Sequence, residues 1–121
     1  MGVAKKYRRK IEIEGRCFLW YVKEDLDWLT HNGCPVALSI ISEDKHFIIS
    51  YGIGQAELYR HLVSLGREFP KISQPKTGYQ RVRCPQWEQD GMITPEIVRQ
   101  LIEWCFTYDV DAIEVNWRCE S

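Results

Sequence analysis

The side chains in this chain best suited to chemistry are five cysteines (at 17, 34, 84, 105 and 119), three histidines and one carboxylate cluster. A nucleophilic thiol needs a base within hydrogen-bond reach, and such pairs are built in space rather than along the chain. Any of the cysteines with His31, His46 or His61 is therefore a formal candidate for a small Cys–His hydrolase, although no local spacing favours one pair. His31-x-x-Cys34 has the spacing of half a zinc site. Structural zinc takes four ligands, and no second close pair completes this one. Glu24, Asp25 and Asp27 bring carboxylates together, as acid–base work or a hard cation requires. They lack the glycine and the distant glutamate of a calcium loop, and read as a solvated loop end. Gly52-x-Gly54 lacks the third glycine and the Lys-Ser/Thr of phosphate-binding loops, and reads as a turn and the start of the next helix. The expectation is a chain with no catalytic residue, cofactor or metal.

Basic and aromatic side chains give a second kind of candidate. Lys5, Lys6, Arg8, Arg9 and Lys10 bracket Tyr7, a pattern that can track phosphates and stack a base. Arg81 and Arg83 flank Val82 on an expected strand, with Trp87 nearby, as in a sheet platform for single-stranded RNA. The competing reading is that the first strand lies at a sheet edge, where Lys and Arg discourage unwanted pairing. Trp28, Trp87 and Trp117 fall in or beside loops and at the chain end, which makes them candidate contacts with a protein partner, against the competing reading that they simply pack over the sheet.

These residues need elements to hold them. Residues 7–13 alternate with period two, Glu14-Gly15 makes a tight turn, and residues 16–23 run back with apolar side chains on both faces. Residues 24–35 are polar and broken, and read as a loop. A second hairpin spans residues 36–42 and 46–51, rich in β-branched and aromatic residues. Leu58, Leu62 and Leu65 share a helical stripe over residues 55–65, with Gly66 as the expected stop. Residues 70–78 form a Pro-rich surface loop, and residues 79–84 an edge strand stopped by Pro85.

The last helix is written out with its cap: Thr94 at N-cap, Pro95 at N1, Glu96 on the positive end of the dipole. It is expected to end near Tyr108-Asp109, before a strand over residues 112–117 with Ile113, Val115 and Trp117 on one side. The fold class expected is α+β: an antiparallel sheet of about five strands, made of two N-terminal hairpins and a C-terminal strand, with two helices on one face.

At 121 residues the chain is expected to be one domain, residues 1–121, large enough for a core without staples. A net charge of −1 gives no overall pull toward nucleic acid or anionic membranes. The odd, irregularly spaced cysteines fit reduced thiols in the cytoplasm. The first ten residues lack the apolar core of a signal peptide, no run is long enough to span a membrane, and Lys6 stands where N-myristoylation prefers Ser or Thr.

Two segments, R-R-K-I-E-I-E-G-R-C-F-L-W-Y-V-K-E-D from Arg8 and I-T-P-E-I-V-R-Q-L-I-E-W-C-F from Ile93, resemble a family of small bacterial hypothetical proteins. The resemblance implies a bacterial, cytoplasmic setting and no activity. The function expected is a non-enzymatic, cytoplasmic protein-binding or regulatory module, acting on a protein partner or as a homo-oligomer. Single-stranded RNA binding through the basic N-terminal strand is the alternative, and the Cys–His hydrolase the third reading.

Overall fold

The computed structural model describes residues 8–24, 36–55, 57, 60–69, 80–107 and 113–115. Six strands follow in chain order: β1 (Arg9–Ile13), β2 (Arg16–Glu24), β3 (Val36–Ser42), β4 (Ile48–Gly52), β5 (His61–Ser64) and β6 (Gln80–Arg83). They form one antiparallel sheet in which every strand lies beside its sequence neighbours. The helix α1 (Pro95–Cys105) closes one face.

Both expected hairpins are present. Ile13 pairs with Arg16 across Glu14 and Gly15, which have φ of 51° and 79°. Two successive positive φ values define the turn whose twist matches the strands it joins. The β3–β4 turn is held by side chains: the Ser42 hydroxyl donates to Asp44 Oδ1 at 2.6 Å, and that oxygen also accepts from the His46 N–H at 3.0 Å.

Register separates the two faces. Phe18, Trp20, Leu38, Ile40, Ile49, Tyr51, Leu62 and Val82 share one face and belong to a single buried cluster. Val98, Leu101, Ile102 and Cys105 of α1 and the loop residues Phe47 and Phe69 complete it. Each such side chain contributes roughly 1.5–3 kcal/mol by leaving water. The helix begins as its sequence dictates, with Thr94 Oγ1 accepting from the Ile97 N–H at 3.3 Å. It stops at Phe106, earlier than the spacing of apolar residues suggests.

Several expectations are corrected. The sheet has six strands and the described residues hold one helix, not two. The segment read as a helix over residues 55–65 contains β5: Leu62 stands between Tyr51 and Val82 in the sheet, while Leu65, from the same supposed stripe, is 43 % exposed. Leucines at helical spacing were a local coincidence, overridden by the partners waiting on either side. Gly66 is accordingly no helix stop. It lies where the backbone after β5 passes the His46 carbonyl, so close that a Cβ would fall 2.1 Å from that oxygen. Of the expected C-terminal strand, the described part is the contact of residues 113–115 with β6, through a bridge between Val82 and Glu114. Residues 79–84 are expected at an edge from sequence, yet β6 is flanked by β5 on one side and by residues 113–115 on the other, with the Arg83 N–H donating to the Ile113 carbonyl at 2.9 Å and the Val115 N–H to the Arg81 carbonyl at 2.8 Å.

Candidate protein-docking surface

The face of the sheet opposite α1 is half apolar. Lys10, Leu19, Ile41 and Ile48 stand opposite one another in register across β1 to β4. Leu65, whose N–H bonds the Ile48 carbonyl at 2.9 Å, extends the row. Leu19, Ile41 and Ile48 are half-buried and Leu65 is exposed. At a strand spacing of 4.7–4.9 Å, the four apolar residues span about 14 Å. In the next row Tyr21 is half-buried, whereas Ser39, Ser50, Val63 and Arg81 are buried, so this face is closed toward β6 and accessible toward β1.

The row ends at β1, an edge strand. Among the described residues, none pairs with its outer side. Arg8, Arg9 and Lys10 are exposed there, as are Glu12 and Glu14. The Arg8 guanidinium lies 5.1 Å from the Tyr21 ring centre and that of Arg9 lies 5.8 Å from Trp20. Cation–π contact of this kind holds long cationic side chains along the strand. A two-residue turn makes Ile13 and Arg16 a hydrogen-bonded pair, so by antiparallel alternation Arg9, Ile11 and Ile13 direct their backbone groups at β2. Lys10 and Glu12 direct theirs outward.

The basic residues read from sequence do not form one surface. Arg8, Arg9 and Lys10 lie at one edge, while Arg81 and Arg83 lie on β6, five strands away or about 24 Å at the usual spacing. Arg81 is only 6 % exposed. Lys5 and Lys6 lie outside the described residues. Of the three candidate tryptophans, Trp87 is half-buried between sheet and helix, 5.4 Å from Tyr51 and 5.5 Å from Trp104, both edge-on. Trp28 and Trp117 lie outside the described residues, as do His31, Cys34, Asp25 and Asp27.

Glu88, Tyr51 and Cys84 are committed to the fold. Glu88, 2 % exposed, accepts from the Tyr51 hydroxyl at 2.7 Å and from the Gly54 N–H at 2.8 Å. The glycine turn is thus filled by a side chain of the chain's own, the carboxyl group of Glu88. Burial, reinforced by Glu88, pushes the Tyr51 phenol far above its usual pKa. Burial also raises the Cys84 thiol well above its ordinary value, helped by Cys105 and Glu88 and opposed by Arg60. A thiol kept protonated is a poor nucleophile. Sequence reasoning missed Glu88 altogether, because Gln86-Trp87-Glu88-Gln89 reads as a polar loop.

Arg16 makes the other fixed cluster. Its guanidinium grips Glu68 with two bonds, Nη1 to Oε2 at 2.9 Å and Nη2 to Oε1, and lies 3.5 Å from Asp44. It also covers the Phe18 and Phe106 rings, each 5.4 Å away. A cleft of about 500 Å³ opens beside it, lined by Ile13, Glu14, Phe18, Ile102, Glu103 and Phe106. With Arg16 bound by two carboxylates and Glu14 and Glu103 on the rim, this cleft is poorly matched to a phosphate.

Among the described residues no cluster of His, Cys, Asp or Glu could hold a metal ion, and no helix is long and apolar enough to cross a membrane. Comparison with protein-family models, with curated proteins and with solved structures finds no match to this chain.

Proposed function

We propose that this protein is a non-enzymatic binding module that docks a protein partner on the helix-free face of its sheet, beside the open edge of β1. The observation that carries this reading is the row Leu19, Ile41, Ile48 and Leu65, an accessible apolar strip that ends on an edge strand with outward-facing backbone groups. Protein partners engage such edges through main-chain hydrogen bonds and take specificity from neighbouring side chains. The polar groups that chemistry would use support the same reading, since Glu88 and Arg16 are occupied within the fold and Cys84 is held protonated.

The test is photo-crosslinking in the native host from a reactive side chain at position 19 or 65, with exposed Glu96 on α1 as the control position. Protein adducts from 19 and 65 but not from 96 support the reading. Equal yields from both faces, or no adduct at 19 and 65, overturn it. Adducts to RNA overturn it in favour of nucleic-acid binding.

A further inference from the structure

The sequence of the open edge is complementary to itself. Along β1 and its turn the exposed residues run Arg8, Arg9 and Lys10, then Glu12 and Glu14, so the first half is basic and the second acidic. Beyond whatever docks on the apolar face, we propose that a second copy of this chain pairs with it antiparallel through β1 about a two-fold axis at Ile11.

Symmetry makes the pairing specific. In a two-fold arrangement centred on Ile11, each Lys10 faces the partner's Glu12 and each Arg8 faces the partner's Glu14. Lys10 and Glu12 are the residues whose N–H and C=O groups point away from β2, so the pair that brings opposite charges together also exchanges two backbone hydrogen bonds. Ile11 then meets its own copy as a non-hydrogen-bonded pair, the type with the closer side chains. Ile11 is half-buried against the core cluster, and the pairing covers what remains exposed. Any other even register breaks the charge match: a shift of two residues sets Lys10 against Lys10 or Glu12 against Glu12. An odd register brings inward-facing backbone groups to the seam.

The same geometry fixes the shape of the dimer. Lys10 and Glu12 lie on the helix-free face of β1, so opposing them places both copies of that face on the same side. The product is a continuous twelve-stranded sheet with both helices on one side and both apolar rows on the other. The contact is small, five residues of strand and a turn from each copy, and belongs with weak, reversible associations.

The charge pattern supplies the experiment. In the Lys10→Glu variant both pairs at positions 10 and 12 become acidic against acidic, and in Glu12→Lys both become basic against basic. Each variant alone is expected to shift the dimer midpoint, read by sedimentation equilibrium, to at least about tenfold higher concentration. Mixing the two variants in equal amounts faces acid with base throughout, and a heterodimer is expected to form at least as readily as the wild-type dimer. The double variant Lys10→Glu/Glu12→Lys restores the match in one chain and recovers association. Melting by circular dichroism confirms that each variant folds, as expected for exposed positions. A full-length wild-type chain that stays monomeric up to millimolar concentration overturns the proposal, as does a dimer indifferent to both substitutions. A monomer that still gives crosslinks to a different protein from positions 19 and 65 refutes the dimer and leaves the docking surface standing.

Discussion

Replacing Tyr51 by Phe isolates the contact that ties the sheet to the segment before α1. The ring, fully buried, stays in place and keeps its edge-on contact with Trp87 at 5.4 Å. What disappears is the hydroxyl, which donates at 2.7 Å to a carboxylate that is itself 2 % exposed and accepts from the Trp87 N–H at 3.5 Å. A hydrogen bond to a charged acceptor contributes about 1.5–3 kcal/mol net, and removing one partner inside a protein strands the other. Glu88 keeps its bond from the Gly54 N–H, so it is weakened rather than abandoned. The expected cost is about 2 kcal/mol, or a fall in Tm of about 8 °C for a chain of this size. Glu88→Ala strands both the Tyr51 hydroxyl and the Gly54 N–H and leaves a cavity, for about 4 kcal/mol. The double variant should cost less than the sum, because both changes break one bond. Urea unfolding followed by tryptophan fluorescence measures all three, with Trp87 beside the site as reporter. Tyr51→Phe within 0.5 kcal/mol of wild type, or strict additivity of the two changes, refutes the claim that this pair locks the sheet to the loop.

Gly66→Ala should lower stability by roughly 2–4 kcal/mol in a thermal melt, because its Cβ would overlap the His46 backbone and neither chain segment can yield without breaking sheet pairing. Asp44 should titrate at about 2 in a carbon-detected NMR titration, held down first by the Ser42 hydroxyl and then by the His46 N–H. Its folded pKa lies below the unfolded value of about 3.9, so its contribution to stability is complete above pH about 4 and is lost as pH falls through 2. Ser42→Ala should raise that pKa. Cys84 should react slowly with iodoacetamide at pH 7.5 in the native protein and readily in denaturant, and fast native labelling would revive the hydrolase reading.

How much of this was legible depends on where the partners of each residue lie. The first hairpin could be read because alternation over residues 7–13 and the Glu14-Gly15 turn are local signals, and the turn then sets the register. The start of α1 could be read for the same reason: Thr94, Pro95 and Glu96 act within one turn. β5 could not, since four residues with leucines at 58, 62 and 65 around them fit a helix equally well until Tyr51 and Val82 are placed on either side. Glu88 was invisible because its partners, Tyr51 and Gly54, precede it by 37 and 34 residues. The basic run is plain in the sequence, but its meaning depends on register. Only the hairpin geometry shows that Lys10 and Glu12 carry the outward-facing amides, and only the strand order shows that Arg81 and Arg83 belong to the other end of the sheet.

The most direct measurement is amide hydrogen exchange along β1 as protein concentration rises. The account predicts an alternating response: Arg9, Ile11 and Ile13 are protected at every concentration by β2, whereas the Lys10 and Glu12 amides exchange freely in dilute protein and become protected as copies associate. Lys10 and Glu12 amides that keep exchanging at the dilute rate while the protein associates, or that are already protected in the monomer, would contradict it.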